Sequence, residues 1–208
     1  MFPIFEIDLS ILTTNVAETD YPTWAVGTTY ALEAKVVYEH KVYESLIASN
    51  VGNQPDTNDE KWMLIGATNA YKCIDNKVST YTQNSASIIM TFAVEKSISI
   101  AFMGVECSTI KVELLEGESV VWQQEQKCIT REINGWFSYF FGDFKFKNFF
   151  MFTHIYNPNA TYRVTLTGDV CKLGVMIKGT LTDIGCTLWE ASVGFVDYSK
   201  KEFDDFGR

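Results

Sequence analysis

The sequence predicts an all-β protein: a small hairpin-based domain, then a jelly-roll β-sandwich, then a C-terminal arm. Three observations carry this. Apolar and polar residues alternate along most of the chain, and helical spacing is nearly absent. Aromatic residues make up 14% of the 208 residues, and rings favour pleated surfaces. Gly and Asn recur between the alternating runs, as turns do between short strands.

Taken in order, residues 1–19 read as an N-terminal docking segment and residues 20–66 as the small domain. Within it, ALEAKVVY and KVYESLIA flank Glu39 and His40, which predicts a hairpin. A polar loop, SNVGNQPDTNDE, follows, and Trp62 opens the apolar stretch WMLIG. Two strands alone are marginally stable, so this domain must gather aromatics around its hairpin or dock on something.

Residues 67–195 read as the sandwich, with the boundary at about Gly66 to Asn69. Its strands place Ile88, Met90, Phe92 and Val94 on one face. Further strands carry Ile98, Ile100 and Phe102, ended by Gly104, and Ile110, Val112 and Leu114, ended by Gly117. Tyr162, Val164 and Leu166 are ended by Gly168, and Val175 and Ile177 close the series. The stretch WFSYFFGDFKFKNFFMF holds ten rings, more than one strand face can bury. Some of them must cross into the other sheet or reach another subunit. Residues 196–208 mix Tyr198, Phe203 and Phe206 with charges, and read as an arm whose rings a neighbouring subunit buries.

Composition narrows the function. The net charge of −9 disfavours nucleic acid and anionic membranes as partners. No apolar run approaches the roughly 18–20 residues that span a bilayer. The N-terminus carries Glu6 and Asp8 and no basic region, so it does not read as a signal peptide. The five cysteines are odd in number and widely spaced, which predicts reduced thiols in a reducing cytoplasm. His40 and His154 stand alone, and Asp204 and Asp205 sit on the arm. Asp56, Asn58, Asp59 and Glu60 lack the spacing of a calcium loop. No nucleophile, phosphate-loop or zinc motif occurs. The expectation is a protein that is not an enzyme, with no cofactor and no metal.

The aromatic pattern of the small domain is more specific. Trp24, Gly27 and Tyr30 precede Val36, Tyr38, Val42 and Tyr43; Asn53, Gln54 and Pro55 follow, and Trp62 closes. This resembles the chitin-binding modules of carbohydrate-binding families 5 and 12. Those modules place an exposed tryptophan pair after the second hairpin tyrosine; here Ser45, Leu46 and Ile47 stand there. Trp24, Tyr30, Tyr43 and Trp62 therefore have two readings, the domain's own core or a residual sugar-binding face.

The sandwich is flanked by two further motifs. Asn69, Tyr71, Cys73 and Asp75 fit one segment of tailed-bacteriophage virion proteins. The chain end resembles another, through Gly174, Gly179, Gly185, Thr187, Asp197, Tyr198, Ser199, Lys201, Glu202, Asp204, Phe206 and Gly207. The resemblance implies a structural component of the virion, tail or tail-fibre associated and assembled in the bacterial cytoplasm. Its implied partners are other tail or fibre proteins and further copies of itself. The alternative is a module that binds a host-surface polysaccharide.

Overall fold

A computed structural model describes residues 13–75, 77, 79–95, 97–130, 135–142 and 145–180. Tyr198, Phe203, Phe206 and the rest of the 196–208 arm lie outside the described residues, as do residues 1–12, Phe144 and Cys186.

The fold is all-β, built of antiparallel sheets. The small domain is a three-stranded sheet of β2 (Lys35–Tyr38), β3 (Lys41–Ser45) and β4 (Trp62–Ala67), in that order. β2 and β3 form the expected hairpin, from Lys35↔Glu44 to Tyr38↔Lys41. Its turn residues Glu39 and His40 have φ of 46° and 63°, the two-residue geometry that matches strand twist. The third strand and a cluster of Tyr30, Val36, Tyr43 and Trp62 supply what two strands lack.

The turn is anchored to the following domain. His40 Nδ1 lies 2.8 Å from Glu18 Oε1, and its ring lies over Tyr71 with centroids 3.9 Å apart. The His40 carbonyl accepts from Thr68 N–H at 2.9 Å, and Thr68 Oγ1 donates to Glu18 Oε2 at 2.8 Å. These contacts offset a left-handed backbone that neither residue would choose alone.

The second domain is organised by one long strand, β12 (Thr161–Gly179). Along one edge it pairs with β5 (Thr82–Ala93), from Thr161↔Ala93 to Leu173↔Thr82. Along the other it pairs first with β7 (Thr109–Glu116), then with β6 (Ser99–Glu106). β8 (Ser119–Lys127) extends the β7 side and β11 (Phe149–Thr153) the β6 side. β1 (Thr13–Thr14) lies outside β5, so the described part of the 1–19 segment joins this sheet.

The sheet bends at a register shift between Thr167 and Val170, and its two halves close on one core as a β-sandwich. One half contributes Met90, Phe92, Val112 and Tyr162; the other contributes Phe102, Phe150, Phe152 and Met176. Two glycines permit the bend. A Cβ at Gly168 would meet Ser108 N at 2.9 Å, and one at Gly174 would meet Met103 O at 2.9 Å.

Two features of the strands differ from the sequence reading. Gly104 and Gly168 do not end their strands: β6 continues to Glu106 and β12 to Gly179. Both glycines instead lie at close backbone approaches, Gly104 opposite Gly174 with φ of 68°. The same irregularity shifts the inward face, so Ile177 is only partly buried and Met176 and Lys178 are buried. Lys178 is 1% exposed; its Nζ donates to the Ala93 carbonyl at 3.0 Å and pairs with Glu95 Oε2 at 2.8 Å.

Candidate functional site

The aromatic pattern points first to the small domain as the place of a site. Tyr30, Tyr43 and Trp62 are buried in its core cluster. Trp62 Nε1 donates to the Asn53 carbonyl at 2.9 Å, and its ring meets Tyr30 edge-on at 5.4 Å. The Tyr30 hydroxyl accepts from Ala25 N–H at 2.8 Å. None of these three offers a sugar an open face. Trp24 is half-buried and perpendicular to Tyr38 at 5.5 Å, while the Tyr38 hydroxyl accepts from Gln54 Nε2 at 2.8 Å. Ser45 is buried and donates to the Ile47 carbonyl at 2.9 Å; Leu46 and Ile47 are exposed aliphatic side chains. Stacking rings are therefore absent from the surface where a chitin-binding module carries them.

The histidine of the sandwich is also part of the interior. His154 is buried; its Nδ1 faces the Ile155 carbonyl at 2.8 Å, and its Nε2 bonds the Tyr162 hydroxyl. The first contact assigns the proton to Nδ1, so Nε2 accepts from Tyr162. Ser97 Oγ lies 3.1 Å from the Tyr162 oxygen and 2.6 Å from the Val94 carbonyl. Burial lowers the His154 pKa against the opposing Ile155 hydrogen bond, and burial pushes Tyr162 up to about 12. The network is neutral and closed, which suits a core link between strands better than proton transfer with a substrate. Among the described residues no group of three or more His, Cys, Asp and Glu could hold a metal ion. No helix among them is long and apolar enough to cross a membrane.

The large exposed feature lies in the aromatic stretch. Between β8 and β11 the chain leaves the sandwich as a ribbon. β9 (Ile129–Thr130) pairs with β10 (Lys145–Phe146), and α1 (Trp136–Phe141) lies between them. β11 alternates as a strand over a core should: Phe150 and Phe152 point in, Phe149 and Met151 out. The helix does not alternate. Trp136, Phe137, Tyr139, Phe140 and Phe141 are between 56% and 75% exposed, and Phe146 on β10 is 76% exposed.

These rings touch one another. Trp136 meets Phe140 edge-on at 5.7 Å and Phe137 meets Phe141 at 5.1 Å, both at the i, i+4 spacing of a helix surface. Tyr139 meets Phe140 at 5.1 Å. At roughly 200 Å² per ring, five rings two-thirds exposed present about 650 Å² of aromatic surface. Summed over the helix, that is of the order of the largest apolar patch of a typical monomer, about 300–600 Å². It approaches the roughly 800 Å² that one partner contributes to a standard interface. The ring count in the sequence points to this excess; which rings leave the core depends on where β11 begins.

No protein-family profile matches the chain, and no curated protein matches it. Among solved structures, the chain is similar to the lectin domain of lectinolysin complexed with Lewis B antigen. The TM-score is 0.37 and the identity 13%, over 54% of this chain and 84% of that one. It is similar also to a chitosan-binding module of a chitosanase/glucanase from Paenibacillus sp. IK-5. There the TM-score is 0.35 and the identity 8%, over 53% and 83% of the two chains.

Proposed function

We propose that the chain is a non-catalytic structural protein that works by protein–protein docking, and that the assembly it serves is a tailed-phage virion, at the tail or tail fibre. The observation that carries the docking reading is the exposed aromatic helix on its ribbon. A six-residue helix is too short to be stable by itself. Rings so exposed cost solubility unless a partner covers them, and aromatic anchors dominate the energy of protein interfaces. The virion reading rests on the flanking motifs, from Asn69 to Asp75 and from Gly174 to Gly207. Tyr198, Phe203 and Phe206 are proposed as a second docking element. Binding of a host polysaccharide is the weaker reading, since Tyr30, Tyr43 and Trp62 are committed to the domain core.

The test is the protein content of purified particles. Virions from a lysogen or infection that encodes the chain should contain it at a fixed ratio to the other tail proteins. Its absence from particles, with the free protein present in the lysate, would overturn the reading.

A further inference from the structure

Two thiols stand together at the root of the ribbon. Cys107 lies in the kink between β6 and β7, and Cys128 follows β8 and precedes β9. Their sulfurs are 3.0 Å apart. Both are free, and both line a cavity of about 510 Å³ with Ser108, Phe146, Lys147 and Gly168. The backbone fixes the pair from both sides: Cys128 N–H donates to the Ser108 carbonyl at 2.9 Å, and Lys147 N–H donates to the Cys128 carbonyl at 2.8 Å. Cys171 is a third thiol near the pair, buried with its sulfur 3.9 Å from the Gly168 carbonyl and close enough to act on both by charge, while Cys73 is buried against Met90.

We propose that Cys107 and Cys128 form a peroxide-sensitive dithiol that closes to a disulfide and straps the ribbon root to the kink of the sandwich. Disulfide formation needs sulfurs brought from contact to bonding distance with little backbone motion, and these already lie inside ordinary sulfur contact distance. Cys107 is half-buried and Cys128 buried, so a small oxidant reaches them through the cavity that both line. The chemistry divides between the two sulfurs. Cys107 Sγ lies 3.3 Å from the Thr109 carbonyl, which can only accept and so favours a proton on this sulfur, and its pKa is raised, first by its hydrogen bond to Cys128. Cys128 is lowered, first by its hydrogen bond to Cys107, against the opposing effect of burial, and in part by the charge of Lys147; with Cys107 holding its proton toward Thr109, Cys128 is taken as the attacking thiol. The Cys128 thiolate attacks hydrogen peroxide, the O–O bond breaks, and hydroxide leaves, taking up a proton as water. The Cys107 sulfur then attacks the resulting sulfenic sulfur; the S–O bond breaks, and the oxygen leaves with the Cys107 proton as a second water. Two thiols lose two electrons and one peroxide is reduced to two waters.

The test treats the purified full chain with a small excess of hydrogen peroxide, quenches, unfolds, and labels the remaining thiols. Three of the five cysteines should label, and trypsin should release peptides 97–111 and 128–131 joined by a bond that reductant cleaves. Cys107→Ala should instead accumulate a dimedone-reactive sulfenic acid on Cys128, and Cys171→Ala should cross-link as the unchanged protein does. If either single alanine variant misfolds, the peptide map of the unchanged chain still decides. Five labelled thiols after treatment, or a cross-link from Cys107 or Cys128 to any other cysteine, would overturn the proposal.

Discussion

Replacing Trp62 with alanine separates a core residue from a ligand residue in the small domain. The ring is 2% exposed, packs against Tyr30 and is held by its hydrogen bond to the Asn53 carbonyl. Removing about 200 Å² of buried ring at about 25 cal/mol/Å² costs about 5 kcal/mol. This falls within the roughly 3–5 kcal/mol typical of Trp→Ala in cores. Leaving the Asn53 carbonyl without a donor adds about 1–3 kcal/mol if no water enters. A cluster centred on four buried residues cannot absorb that loss. Hydrogen exchange on the full-length variant should show the amides of β2, β3 and β4 losing protection while those of β5 and β12 keep theirs. Trp62→Phe, which retains most of the ring but not the donor, should fall between. Unchanged protection in Trp62→Ala, together with lost binding of a chitin oligosaccharide, would refute the reasoning and make Trp62 a sugar contact.

Gly174→Ala should lower the thermal midpoint by several degrees, because its Cβ would lie 2.9 Å from Met103 O and overpacking costs about 1–3 kcal/mol; Gly66→Ala, with nothing within 4 Å, should not. Calorimetry of the two variants checks this. Glu113 is buried, and Arg163 first, with Lys111, holds its carboxyl below the usual range. A depressed folded pKa contributes stability above the unfolded value of about 4.3, and that stability is lost as pH falls through the folded value. Glu113→Gln should therefore be destabilised at neutral pH, with the gap to the unchanged protein closing in acid denaturant titrations.

The strands were legible because a half-buried pleat writes its period directly into the chain, and the hairpin around Glu39 and His40 shows how far that reaches. The glycines were harder. A glycine that ends a strand and one that lets a distant backbone pass look alike in sequence, since the group that Gly168 approaches belongs to Ser108. Lys178 was hidden for a related reason: the Gly104–Gly174 irregularity shifts the inward face, and a lysine whose charge is paired can take a buried place. The cysteine pair did leave a trace. Cys107 stands ten residues before Gly117 and Cys128 ten after Glu118, so the two flank one hairpin symmetrically. The excess of rings between Trp136 and Phe152 was countable, but which of them face outward follows from the ribbon, whose two-residue strands have too short a period to read.

The most direct measurement replaces two of the exposed rings and follows the protein into particles. Trp136→Ser with Phe140→Ser removes rings that are 75% and 62% exposed, so the thermal midpoint of the isolated protein should stay nearly unchanged. In a complementation infection, the tagged wild-type chain should sediment with virions on a density gradient, and the double variant should remain in the soluble fraction. Equal sedimentation of the two would contradict docking through the aromatic helix.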